Sequence, residues 1–171
     1  MTLIVCPLSQ VESVIAARAP SHLVTLLDPS YLIATPPGLA PERHLKLGVN
    51  DVVEQTEGRI CADSPTIARL LAFGAGWDGA QPMLIHCWAG ISRSTAAAFA
   101  LACQRDPEAP ELKIAEALRA ASAVAHPNRR IVALADALLD RGGRMVEAIE
   151  AIGPGESADE NRAFDLPVRY R

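Results

Sequence analysis

Apolar and polar positions alternate along this chain with two different periods. Thr2 to Val5 is a short apolar run ended by Pro7, which suits a buried strand. From Ser9 to Arg18 the period changes to that of a helix, with Val11, Val14 and Ile15 on one face. His22 to Leu27 predicts a second strand, closed by the turn residues Asp28-Pro29-Ser30. A Pro/Gly-rich loop follows from Thr35 to Pro41, and His44 to Val49 alternates more weakly before Asn50-Asp51. Ser64 and Pro65 have the chemistry of a helix start, and Ile67, Leu70 and Leu71 carry that helix towards Phe73, with Gly74, Gly76 and Gly79 expected to end it. Met83 to His86 is another buried-strand run, followed by an Ala-rich helical stretch from about Ser94 to Cys103. Two amphipathic helices are expected at Glu111–Val124 and Arg129–Leu139, with a stop at Gly142-Gly143 and a last short helix from Arg144 to Ile152.

Strands alternating with helices, then helices alone, predict an α/β fold with a central, mainly parallel sheet flanked by helices and a helical C-terminal half. One domain is expected over residues 1–152. Gly153-Pro154-Gly155 then opens a polar tail, residues 153–171, expected to be partly disordered.

Composition narrows the partners more than the fold. In 171 residues, 16 Lys and Arg stand against 20 Asp and Glu, and no long basic run is present, which disfavours nucleic acid. No apolar stretch approaches the roughly 20 residues that span a bilayer, and the N-terminus has no signal-peptide pattern, so a soluble, cytoplasmic protein with no membrane partner is expected. The widely spaced Cys6, Cys61, Cys87 and Cys103 form no CxxC pair, and His22, His44 and His126 have no ligand spacing, so neither metal nor cofactor is expected. Cys6, Cys61 and Cys103 read as buried apolar residues, unless one is a redox partner of Cys87.

The chemistry is concentrated in His86-Cys87-Trp88-Ala89-Gly90-Ile91-Ser92-Arg93-Ser94-Thr95, between a buried strand and a helix. A helix start offers backbone N–H groups without intrahelical partners and a partial positive charge, so an anion fits there. Gly90 lets the backbone curl around it. Cys87 faces the same donors and the Arg93 guanidinium, a setting that suits a sulfur nucleophile. Arg93 can give two parallel hydrogen bonds to phosphate oxygens, a fork that lysine does not reproduce.

His-Cys-x-x-Gly-x-x-Arg-Ser/Thr resembles the signature of the protein tyrosine phosphatase superfamily, and Ala89-Gly90 with Ser92-Arg93-Ser94 is similar to its dual-specificity branch and to a group of small bacterial phosphatase-like proteins. Pro127-Asn128 resembles the Pro-Asn segment that follows the phosphate loop in that branch. The resemblance implies a cysteine-phosphatase-like fold and a phosphocysteine intermediate on Cys87. It makes Arg93 the phosphate clamp and residues 88–93 the substrate-binding loop. His86 would orient the loop, Ser94 would stabilise the leaving thiolate, and Asn128 would support the site. It also implies a general-acid aspartate some thirty-odd residues upstream: Asp51 lies 36 positions before Cys87 and is preferred to Asp63, 24 before it.

Three functions stand after this reading. The first is a phosphatase acting on a phosphorylated protein or a small phosphomonoester; the second is a phosphate-recognition module with little turnover; the third is sulfur or arsenate chemistry on a related loop. Trp88 is open between loop anchor and wall of the substrate entrance. The loop carries no lysine, which favours monophosphates over inositol polyphosphates.

Overall fold

The computed structural model describes residues 1–170. Five strands form one sheet in the order β3-β2-β4-β1-β5. The strands are β1 (Thr2–Pro7), β2 (His22–Leu27), β3 (His44–Gly48), β4 (Met83–Cys87) and β5 (Phe164–Pro167). The first four run parallel, and β5 adds an antiparallel edge beside β1. Six α-helices accompany them: α1 (Val11–Arg18), α2 (Ser64–Gly76), α3 (Arg93–Arg105), α4 (Glu111–Ala121), α5 (Arg129–Leu138) and α6 (Arg144–Ala151). The α/β class and the helical C-terminal half are those the residue periods imply.

Because successive strand residues point to opposite faces, the sheet has two unequal cores. Leu3, Val5, Val24, Leu26, Met83, Ile85 and Cys87 belong to the large core with α2 to α6. Ile4, Cys6, Leu23 and Leu84 face the other way, where Val11 and Val14 of α1 cover them, with Ile33 and Leu39 at the margin. Helix α3 lies inside the large core: every residue from Arg93 to Cys103 is buried. Its alanines follow from that burial, since a helix enclosed on all sides leaves little room for long side chains. Gly74 shows the same crowding. A Cβ there would come within 2.3 Å of Leu101 on α3, so Gly74 allows two helices to approach closely and α2 continues through it rather than ending there.

The largest departure from expectation is the C-terminal segment. The described residues beyond 152 include a strand of the sheet and part of the core: β5 pairs with β1 from Thr2↔Pro167 to Val5↔Phe164, and Leu166 and Val168 are fully buried. The Gly153-Pro154-Gly155 break and the polar residues after it predict a loose tail, and a strand of only four residues gives little periodicity against that. Its ordering comes from the open edge of β1, whose unpaired backbone groups give a short strand a full set of partners.

Candidate active site

The C-terminal ends of the parallel strands meet at one edge, the usual place for a site in an open α/β sheet. There β1 delivers Pro7 and Leu8, β2 delivers Asp28, β3 leads into Val49 to Asp51, and β4 ends on Cys87. The loop from Cys87 to Ser92 turns from β4 into α3. Gly90 has φ 70°, and a Cβ on it would lie 2.7 Å from Pro7 N and 2.8 Å from Cys6 C. Both the backbone angle and the packing against β1 therefore require glycine.

The loop's carbonyls reveal its polarity. Cys87 O accepts from His86 Nδ1 at 3.4 Å, the longest of the set, and Trp88 O accepts from Leu8 N at 3.0 Å. Ala89 O accepts from Asn161 N at 2.8 Å, and Gly90 O from Asn161 Nδ2 at 2.9 Å. Ile91 O accepts from His126 N at 2.9 Å and Ser92 O from Asn128 N at 3.1 Å. All these peptides are trans. In a trans peptide the N–H points opposite the C=O, so tying six successive carbonyls outward turns the amides of Trp88 to Arg93 toward the hollow. The result is an anion cradle of backbone donors at a helix start.

Arg93 completes the cradle from below. It is 5% exposed; its Nη1 donates to Asp28 Oδ1 at 2.7 Å and to Val49 O at 2.8 Å. Its buried Nε has no protein partner. One side of the guanidinium is thus locked by the ends of β2 and β3. The opposite Nε edge keeps a desolvated donor unused, an arrangement costly to a folded chain unless a ligand oxygen fills it. Cys87 Sγ lies 3.1 Å from Ser94 Oγ, both buried.

His86 is buried at the end of a hydrogen-bonded row that crosses the sheet. Thr35 Oγ1 meets His44 Nδ1 at 3.0 Å, His44 Nε2 meets Thr25 Oγ1 at 2.8 Å, and Thr25 Oγ1 meets His86 Nε2 at 2.7 Å. One proton assignment satisfies the row: His86 Nδ1–H donates to Cys87 O, Thr25 donates to His86 Nε2, His44 Nε2–H donates to Thr25, and Thr35 donates to His44 Nδ1. Burial drives both imidazoles down to about 4, Lys46 adding to the effect at His44, and His44 and Arg93 adding to it at His86. Both rings are therefore neutral near pH 7, as the row requires.

Asp51 sits on the far side of the hollow, on the loop after β3. That loop is closed by Asn50 N to Ile60 O at 2.8 Å and Ile60 N to Asn50 Oδ1 at 2.7 Å. Asp51 Oδ1 accepts from Ser92 Oγ at 2.7 Å and from Asn128 Nδ2 at 2.9 Å. Asn128 also caps α5, its Oδ1 accepting from Ile131 N at 3.1 Å. Asp63, by contrast, is the cap of α2. Its Oδ1 accepts from the hydroxyl and backbone N–H of Thr66, bonds that hold its carboxyl below the usual range, and it does not line the hollow.

The walls of the hollow are Asp51, Cys87, Trp88, Ala89, Ile91, Ser92, Arg93, Ala158 and Asp159. The structure thus brings Asp51, Cys87, Ser92, Arg93, Ser94 and Asn128 together. Two of the wall residues, Ala158 and Asp159, come from the C-terminal segment. Trp88 is 55% exposed and meets Tyr31 edge to face, ring centres 5.5 Å apart, so it forms part of the entrance. Wider grooves lie between α1 and the 33–40 loop, but their lining holds neither cysteine nor histidine.

Of the remaining cysteines, Cys61 is half-buried on the loop after β3, where its Sγ donates to Glu54 O at 3.0 Å, and Cys103 is buried near the C-terminal end of α3. Cys6 is in register with His86 while Pro7 is in register with Cys87, so Cys6 lies on the α1 face and Cys87 on the α3 face. Burial raises the thiols of Cys6 and Cys103 to about 12. The Cys6 and Cys87 side chains lie on opposite faces of the sheet. Among the described residues, no helix is long and apolar enough to cross a membrane.

Sequence comparison adds nothing to this picture: no protein-family model matches the chain, and no curated protein sequence matches it. Solved structures do. Human DUSP28 superposes with a TM-score of 0.57 at 19% identity, over 88% of this chain and 95% of that one. DUSP15 superposes with a TM-score of 0.56 at 18% identity, over 91% of this chain and 94% of that one. The fold is that of the dual-specificity phosphatases, a cysteine-phosphatase-like α/β fold.

Proposed function

We propose that the protein is a cysteine-dependent phosphatase that hydrolyses phosphomonoesters through a phosphocysteine on Cys87. The observation that carries this reading is the cradle itself: six carbonyls turned outward around a cysteine sulfur, with the buried Nε of Arg93 unpartnered beneath it. Such a site complements three equatorial oxygens of a phosphoryl group, whose charge must be held as the transition state forms.

In the proposed reaction the Cys87 thiolate attacks phosphorus while the bond to the ester oxygen breaks, and Asp51 donates a proton to the leaving oxygen. Water then attacks the phosphocysteine. Asp51 takes a proton from it, the phosphorus–sulfur bond breaks, and Ser94 Oγ stabilises the departing thiolate. Asn128 and Ser92 both bind Oδ1 of Asp51, which aims the other carboxyl oxygen at the leaving group. His86 holds the start of the loop through Cys87 O.

Asp51 also supports turnover over mere phosphate recognition, since a recognition module has no use for an acid bonded to the loop's own serine. Arsenate reduction through a relay between Cys87 and Cys6 is disfavoured by the placement of Cys6 on the opposite face. Arg93 is the one cation among the described residues that line the hollow, where Asp51 and Asp159 add negative charge, so a single phosphate is favoured over a crowded polyanion. Arg129 is paired with Glu150 at 2.5 Å and Arg130 donates to Ala62 O at 2.6 Å, so neither is placed to reverse that balance.

Hydrolysis of an aryl phosphate across pH tests the reading. Turnover is expected in the parent protein and none in Cys87→Ser, while Cys87→Ser still binds tungstate through the amides and Arg93. Equal turnover in the two proteins would remove Cys87 from the mechanism.

A further inference from the structure

Two of the six carbonyls that shape the cradle are held by a single residue outside both the loop and its neighbouring helices. Asn161 donates its backbone N–H to Ala89 O at 2.8 Å and its side-chain Nδ2 to Gly90 O at 2.9 Å. These carbonyls belong to the peptides whose N–H groups are those of Gly90 and Ile91, at the apex of the loop. Asn161 is 6% exposed, and its side chain has no unused capacity. Nδ2 also donates to Ser122 Oγ at 2.9 Å, and Oδ1 accepts from Ser122 Oγ at 3.1 Å and from Arg162 N at 2.9 Å.

The chain is pinned on both sides of this residue. Upstream, Glu156 N donates to Ala123 O at 2.9 Å, and Arg119 Nη2 donates to Gly153 O at 2.9 Å. Gly155 passes so close to the turn after α4 that a Cβ on it would lie 2.6 Å from Ala125 O. At the crossing itself, Gln10 Nε2 donates to Asn161 O at 3.2 Å, and Ala163 N donates to Gln10 Oε1 at 2.8 Å. Downstream, β5 pairs with β1. A segment so fixed delivers one amide side chain to one place, behind the apex of the loop.

We propose that Asn161 is a positioning residue for phosphoryl transfer: a strap formed by residues 153–167 carries it beneath the loop, where it keeps the Gly90 and Ile91 amides facing the bound phosphoryl oxygens. The inference rests on the phosphatase reading. It assigns to the C-terminal segment a part in oxyanion binding beyond that of closing the sheet edge. Without the Nδ2 donor, Gly90 O is a buried acceptor with no partner, and the peptide gains by rotating its oxygen toward water in the hollow. That rotation removes an amide from the cradle and puts a carbonyl oxygen against the phosphate.

The test is tungstate affinity and aryl phosphate kinetics in Asn161→Asp, Ser122→Ala and Asp165→Asn, with thermal midpoints measured beside them. Asn161→Asp keeps the size and the acceptor but replaces the donor by a second oxygen. It is expected to weaken tungstate binding about tenfold or more, with kcat/KM falling in parallel. Ser122→Ala touches Asn161 but not the loop and is expected to shift both in the same direction by a smaller factor, so it decides the question if Asn161→Asp does not fold. Asp165→Asn weakens only the Arg18–Asp165 pair on β5, at 2.9 Å, and is expected to lower the thermal midpoint with affinity unchanged. If Asn161→Asp or, should that variant not fold, Ser122→Ala binds tungstate and turns over like the parent, the positioning role is wrong while the phosphatase reading stands. If the parent itself neither binds tungstate nor hydrolyses the ester, the phosphatase reading fails and this role with it.

Discussion

The floor of the hollow and its rim are built on opposite terms. On the floor, Arg93, Ser94, His86 and Asn161 are buried, and their bonds run to elements far apart in the chain: Asp28 after β2, Val49 after β3, Thr25 in β2 and Gln10 before α1. On the rim, Trp88 and Tyr31 are more than half exposed and meet edge to face, while Asp159 faces solvent. The floor has one geometry because several strands must agree on it. The rim is free to differ without unfolding anything. On the proposed reading the two properties separate: holding a phosphoryl group would belong to the floor, and the choice of which ester enters would belong to the rim.

Substitutions on the floor should therefore cost the most. Arg93→Lys keeps a charge but loses the fork and the Asp28 lock, and is expected to lower kcat/KM by about 10² or more. Near-parent kinetics would mean that the guanidinium serves the fold and not the phosphate. Asp51→Asn lies at the boundary between the two regions. It retains an acceptor for Ser92 and Asn128, so folding should be preserved, whereas kcat should fall by about 10² on esters with poor leaving groups and lose its alkaline limb. A pH profile unchanged in Asp51→Asn would overturn the acid assignment.

The row of histidines behind the floor gives a prediction in pH. The ordinary imidazole value is 6.5, and His44 and His86 are held at about 4 in the folded chain. Between those values the unfolded chain binds more protons than the folded one, so the stability these rings contribute is complete above pH 6.5, declines as pH falls toward 4, and is fully lost below it. His44→Gln removes one of the two titrations and should flatten the fall of the thermal midpoint over that range. An unaltered slope would show that the row does not set it. Thr25→Val should cost about 1–3 kcal/mol at neutral pH, because it leaves both imidazoles one partner short.

On the rim, Trp88→Ala should leave tungstate binding within a factor of about two while raising KM for aryl esters several-fold, because an aromatic wall contacts the substrate's ring and not its phosphate. Equal losses for tungstate and ester would move Trp88 from the rim to the floor.

The floor's chemistry was legible where it is local. Cys87, Arg93 and Ser94 lie within one strand-loop-helix unit, so the sequence itself groups them, and the family resemblance pointed to Asp51, which the structure puts against Ser92 and Asn128. What escaped was supplied by distant segments. Asp28 reads as a turn residue before Pro29, and only the pairing of β2 with β4 places it beside Arg93. Thr25 and His44 belong to two different strands, and their row with His86 depends on a register that periodicity does not give. Asn161 lies in a polar, Gly- and Pro-flanked stretch with the composition of a loose end. Its one available signal was the short Phe164–Pro167 run, which makes a strand only because β1 leaves an edge open.

A phosphocysteine on Cys87 is tested by trapping it. Ser94→Ala, expected to slow breakdown of the phosphoenzyme more than its formation, is mixed with a radiolabelled aryl phosphate and quenched in denaturant. Label is expected on the peptide that contains Cys87, released by iodine as a phosphorus–sulfur bond is, and absent when Cys87→Ser is added to the same background. Steady turnover with no labelled protein, or label retained in Cys87→Ser, would contradict it.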